Sequence, residues 1–113
     1  TIDAFKLEEM QKNGEIKGCL VGGPFALDNA VSEEAAKHKG MTHPIGGKAD
    51  ILLVPNIESG NILYKSLVFF AKGENAGLIV GAKAPIVLTS RADSDITKLN
   101  SIALAVLAAS KQN

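Results

Sequence analysis

The sequence predicts an α/β fold, a parallel-rich sheet flanked by helices. Three observations lead there. Short β-branched runs alternate with helical patterns along the 113 residues, the layout of strand–helix–strand units. Residues 49–55 (ADILLVP) are almost continuously apolar, as suits a central parallel strand covered on both faces. Residues 85–90 (PIVLTS) form another such run and lead through a short polar loop into a helical pattern.

Taken in order, residues 2–13 carry Ala4, Phe5, Leu7 and Met10 at helical spacing, and Gly14 stands where a helix-ending glycine belongs. Residues 16–21 read as a strand stopped by Gly22, Gly23 and Pro24. Ser32 caps a short helix running to Lys39, with Glu33 and Glu34 at its positive end and Gly40 closing it. Residues 41–48 are loop, and the strand 49–55 follows. In the next helix Ile62, Leu63, Leu67, Phe70 and Ala71 share one face, and Gly73 supplies the stop. Residues 76–81 (AGLIVG) and 85–90 are two more strands, paired as a hairpin or separated with one leading to a neighbouring domain; the link between them is too short for a helical crossover. A long packing helix starts near Asp93 or Ser94, carries Ile96, Leu99, Ala103 and Val106 at helical spacing, and runs to about Lys111. No internal repeat interrupts this order.

Composition narrows the function classes. Twelve basic residues balance twelve acidic ones, and four Phe and one Tyr are the only aromatics, so nothing favours a nucleic-acid partner. The longest apolar run, residues 102–109, falls far short of the ~20 residues that cross a bilayer, and no leader pattern opens the chain. A cytoplasmic protein is expected. The lone Cys19 has no partner for an internal disulfide, has no nearby histidine to activate it, and reads as buried apolar filler. His38 and His43 lack companions at ligand spacing, so no metal is expected. Opening on Thr1 instead of methionine suggests a piece of a longer chain.

Three segments are placed to carry chemistry. In open parallel sheets ligands gather where strands end and helices begin, and residues 89–94 lie at such a junction. There Ser90 offers a hydroxyl to an oxyanion, Arg91 a planar fork for phosphate, and the following helix its positive end. The plain alternative is that Ser90 and Asp93 are caps and Arg91 a surface cation; spacing alone does not decide. The second segment is residues 55–61, where Gly60 permits close backbone approach, Asn61 caps or binds, and Tyr64 and Lys65 lie a turn later. An ordinary strand-to-helix turn fits equally well. In the third, Gly22 and Gly23 match neither G-x-G-x-x-G nor G-x-x-x-x-G-K-[ST], and Asp28 reads as a local Asx turn.

The runs KADILLVPNIESGNILYKSL, AGLIVGAKAPIVLTSRADS and KLNSIALA, preceded by GGPFALDNAVS, closely resemble the C-terminal part of the phosphate acyltransferases, the butyryltransferase branch above the acetyltransferase branch. The resemblance covers nearly the whole chain, and its two long segments match in order and separation. It implies reversible acyl transfer between coenzyme A and inorganic phosphate to give an acyl phosphate, with acyl-CoA, phosphate and acyl phosphate as small-molecule partners and no cofactor. It also implies an isocitrate/isopropylmalate dehydrogenase-like fold of two α/β domains, usually dimeric, with the site in the cleft between them. Residues 1–84 then belong to the second domain and residues 85–113 return toward the first.

Carried over by the same resemblance, Ser90 and Arg91 are the catalytic pair: Ser90 stabilises the oxyanion and Arg91 grips phosphate. Gly60, Asn61, Tyr64, Lys65 and Lys83 fall on substrate-lining positions. The carboxylate that serves as base in the acetyltransferase branch is replaced by Thr97, which leaves Asp93 or Asp95 as the base, or none. The family's chains are more than twice as long and supply further arginines, whereas Arg91 is the only arginine here, so a weakly active or inactive fragment is expected. Two other readings stand beside the transferase. One is a non-catalytic anion-binding or dimerisation module. The other is an oxidoreductase on the related fold, which lacks the metal-binding aspartates and nicotinamide site it requires.

Overall fold

The computed structural model describes residues 1–111 and divides into two compact units, Thr1–Gly60 and Asn61–Asn113. Among the described residues the regular structure is five helices: α1 (Ile2–Lys12), α2 (Leu27–Val31), α3 (Glu33–His38), α4 (Ile57–Phe69) and α5 (Asp95–Ser110). None is long and apolar enough to cross a membrane.

In the first unit α1 ends as its sequence predicts, with Gly14 in the left-handed region at φ 79°. The Ser32 side chain accepts the Ala35 N–H at 3.2 Å and starts α3. The short helix α2 lies where the sequence predicts only a local Asx turn at Asp28. It packs against α3, and Ala30 and Ala36 reach burial there. The loop after α3 returns over this pair, its Gly47 and Ala49 amides donating to the carbonyls of Asn29 and Ala30 at 2.8 and 3.0 Å. Small side chains are what allow two such short helices to approach.

The expected parallel-rich sheet is absent among the described residues. Residues 16–21 and 49–55 form no ladder, and residues 76–81 and 85–90 meet at a single antiparallel bridge, Ile79–Ile86, with the Ile79 N–H donating to the Ile86 carbonyl at 2.9 Å. A dehydrogenase-like parallel sheet is therefore not the architecture here. The β-branched runs report apolarity correctly, but a strand also requires a neighbour about 4.8 Å away to take up its backbone groups. Residues 51–54 have none, and Ile51 and Leu53 stand 84% and 79% exposed. Cys19, expected as buried filler, is exposed as well.

The second unit reverses another expectation. The α5 face bearing Ile96, Leu99 and Val106 is exposed, and the residues it buries are Thr97 and Ser101, four apart on the same side. Ser101 is 0% exposed; it donates to the Thr97 carbonyl at 2.7 Å and accepts the Gly77 N–H at 3.0 Å. Hydrogen bonding to the loop after α4, and not apolar contact, selects the buried side. The end of α4 is marked by Lys72 at φ 55°, one residue before the predicted Gly73, whose N–H donates to the Leu67 carbonyl at 2.9 Å.

Candidate functional site

Residues 90–93 form a tight turn just ahead of α5. The Asp93 N–H donates to the Ser90 carbonyl at 3.1 Å, and the Ser90 N–H donates to Asp93 Oδ2 at 2.7 Å, so backbone and side chain close the loop reciprocally. The Ser90 hydroxyl oxygen lies 3.4 Å from the Ala92 N–H, a long contact that leaves the hydroxyl proton unengaged. Arg91 sits at the tip, exposed, with no ion pair or hydrogen bond among the described residues. Three residues on, the Ser94 hydroxyl caps α5 by accepting the Thr97 N–H at 3.2 Å.

Behind this turn runs a chain of polar side chains. Tyr64, from α4, donates its phenol proton to Asp93 Oδ1 at 3.1 Å. Asn75, from the loop after α4, donates to the Tyr64 oxygen and accepts the Thr97 hydroxyl at 2.8 Å. Thr97 spends its single proton on Asn75, so the 3.1 Å contact between the Ser94 and Thr97 oxygens has Ser94 as donor. Each link orients the next, and all the donors point toward Asp93. Partial burial, then the hydrogen bond to the Asp93 carboxylate and its charge, push the Tyr64 phenol above its ordinary value, while the Asn75 hydrogen bond opposes them.

Of the residues singled out from sequence, Tyr64, Ser90 and Asp93 are brought together, with Arg91 alongside in the same turn. Lys65 lays its ammonium 5.3 Å from the Tyr64 ring centre and 5.7 Å from that of Phe69, within cation–π range. Lys83 is exposed in the turn before residue 85. Asp95 is fully exposed in the first turn of α5 and pairs with Lys98 at 3.1 Å. Both Asp93 oxygens already accept hydrogen bonds, which separates the two candidate bases. Asn61 is exposed on α4, and the capping it was considered for belongs to Asn56, whose side-chain oxygen accepts the Ser59 N–H at 2.9 Å. At Gly60 an added Cβ would lie 3.1 Å from a Val54 methyl, a tight approach to a side chain within the first unit that a small shift of Val54 would relieve. Asp28 accepts the Asn29 N–H at 2.8 Å, and Lys39, 2.6 Å away, holds its carboxyl below the usual range. His43 sets its ring edge-on to Phe25 at 5.3 Å, and among the described residues no group of His, Cys, Asp and Glu is placed to hold a metal.

Sequence reasoning missed Asn75. An asparagine just after a helix-ending glycine reads as an ordinary turn residue, and nothing in its spacing announces that both ends of its amide are engaged. An open groove of about 440 Å³ runs beside it, lined by Glu74, Asn100, Leu104 and Leu107 among others.

The comparisons with known proteins agree with one another. The sequence model of phosphate acetyl/butaryl transferase matches residues 2–106. A phosphate butyryltransferase of Clostridium beijerinckii is 61% identical over 111 residues, covering 98% of this chain and 37% of that protein. A phosphate acetyltransferase of Thermotoga maritima is 61% identical over 107 residues, covering 95% of this chain and 36% of the relative. The crystal structure of a branched-chain phosphotransacylase from Enterococcus faecalis superposes with a TM-score of 0.75 at 45% identity, covering 91% of this chain and 37% of that one. The chain thus spans little more than a third of these relatives. A family match from residue 2 to residue 106, with relatives this similar over nearly all of its length, establishes that the chain belongs to the phosphate acetyl/butaryl transferase family.

Proposed function

We propose that the chain contributes the phosphate-handling turn of an acyltransferase that moves an acyl group between coenzyme A and inorganic phosphate. The reading rests on one observation above all: Ser90 and Arg91 sit in a turn closed by its own backbone and by Asp93, with the hydroxyl proton and the guanidinium both uncommitted. In the direction of thioester formation the thiolate sulfur attacks the acyl phosphate carbonyl carbon. A carbon–sulfur bond forms, and the carbon–oxygen bond to phosphate breaks, phosphate leaving with the electron pair. Ser90 donates to the oxyanion that develops at the carbonyl, and Arg91 holds the departing phosphate in its planar fork. Asn61, Lys65 and Lys83 offer further polar contacts to the substrates. The thiol proton falls to Asp95, the candidate with an oxygen free of other hydrogen bonds.

Butyryl phosphate is the acyl donor favoured by the sequence resemblance, although relatives of both the butyryl and acetyl types stand at 61% identity. A thioester-formation assay with acetyl, propionyl, butyryl and branched acyl phosphates tests the reading, alongside calorimetry with phosphate and coenzyme A. Turnover that falls about 10- to 100-fold in Arg91→Ala, the loss of one charge-assisted contact, is the expected result. The chain alone is expected to turn over weakly or not at all, so the turnover arm uses the intact protein that carries it; binding there without turnover of any acyl phosphate would replace the enzyme reading with a non-catalytic anion-binding module.

A further inference from the structure

We propose that Asn75 is a positioning residue for the Ser90–Arg91 turn, acting through Tyr64 and Asp93. The proposal rests on the reading that this turn receives phosphate, and it adds a residue to which neither the sequence nor the family match gives a role.

The geometry makes the dependence directional. Asp93 Oδ2 holds the Ser90 amide at 2.7 Å, so the carboxylate's orientation sets that of the turn. A carboxylate rotates freely unless its second oxygen is held as well, and the second oxygen is held by Tyr64 at 3.1 Å. A phenol proton can point either way in the plane of its ring. It points at Asp93 because Asn75 donates to the phenol oxygen from the other side and so occupies the acceptor position. The Asn75 amide itself has two orientations, and only one lets it donate to Tyr64 while accepting from Thr97 at 2.8 Å. Thr97 is buried at the start of α5, bonded to the capping Ser94 before the helix and to Ser101 within it, so the far end of the hydrogen-bond chain is anchored to the helix.

Turning the Asn75 amide over would aim its oxygen at the phenol oxygen and its NH2 at the Thr97 hydroxyl. Tyr64 would then give its proton to Asn75, and Asp93 would lose its second hold. Hydrogen-bond chains in partly dry surroundings strengthen cooperatively, which is why the loss of one link is expected to be felt at the end of the chain. The charged groups around Tyr64 are Asp93 on one side and Lys65 over the ring. Asp93 is an acceptor there, and the Lys65 ammonium makes no hydrogen bond to the phenol oxygen, so neither replaces the proton Asn75 supplies.

The test is a double-mutant cycle on the full chain with Asn75→Ala, Tyr64→Phe and the pair combined. Two quantities are read: hydrogen exchange at the Ser90 amide by NMR, and affinity for inorganic phosphate by calorimetry. Tyr64→Phe keeps the ring and removes only the hydroxyl, so it serves if Asn75→Ala fails to fold. A relay predicts that each single change speeds Ser90 exchange and weakens phosphate binding by about tenfold, and that the double change does no more than either single one. Independent structural roles predict multiplied effects, about a hundredfold in the pair, and that result would overturn the proposal. So would unchanged Ser90 exchange in Tyr64→Phe. If the parent chain binds no phosphate, the functional reading fails, while the Ser90 exchange cycle still decides whether Asn75 positions the turn.

Discussion

Asp93 was legible in the sequence as a polar residue between a predicted strand and a helix, but its partner was not. The sequence offered Ser90 and Asp93 as caps, but the cap of α5 is Ser94, and Ser90 and Asp93 instead close a turn on each other. The 29-residue separation between Asp93 and Tyr64 is invisible to spacing. Tyr64 has a measurable consequence of its own. Its phenol is pushed above its ordinary value near 10.0, so the folded chain binds that proton more tightly than the unfolded chain does. Stability from this group is fully present below pH 10 and is lost as the pH rises through the raised folded value. Urea titrations from pH 9 upward should therefore show an alkaline loss that is smaller in Tyr64→Phe. An identical alkaline profile in the two proteins would contradict the buried-phenol account. As the only tyrosine in a chain without tryptophan, Tyr64 also reports its own ionisation by ultraviolet absorbance.

The helices were the readable elements. Ser32 caps α3 where the sequence places it, and Ser94 caps α5 at one of the two starts the sequence left open, because a hydroxyl ahead of a helical pattern has a local partner three residues on. The strands were misread because a strand's partner is remote, and apolar β-branched runs look the same with or without one. The buried side of α5 was misread for a related reason: periodicity locates apolar residues, while Thr97 and Ser101 are buried by hydrogen bonds to a loop that periodicity does not describe. Two substitutions separate these contributions. Ser94→Ala removes a cap and should cost about 1 kcal/mol. Ser101→Ala should cost about 1–3 kcal/mol, because the Gly77 N–H and the Thr97 carbonyl lose their partner together. Urea denaturation monitored by circular dichroism checks both, and a neutral Ser101→Ala would show that the loop is held by something else.

For the whole chain, surface area is the informative quantity. Two folded units of half its 11.8 kDa mass would together expose roughly 7,100 Å², by the usual scaling of surface with mass, yet the chain exposes 8785 Å². Apolar side chains contribute to it: Ile51, Leu53, Val80 and Phe70 all lie open, while the apolar side chains buried among the described residues are Ala30 and Ala36. Patches of this kind bind hydrophobic dyes. Strong dye fluorescence is expected at neutral pH, reduced in Leu53→Lys without loss of helicity; a chain that leaves the dye dark would show these segments covered in solution. Family membership was legible because two long words carry it, and words survive where architecture inferred from strands does not. On the proposed function, the Arg91 turn captures a small anion. Calorimetric titration of inorganic phosphate into the chain and into Arg91→Ala measures that directly. Saturable binding by the parent, weakened at least tenfold in the variant with the circular dichroism spectrum unchanged, is the predicted result; equal affinities in the two proteins would contradict it.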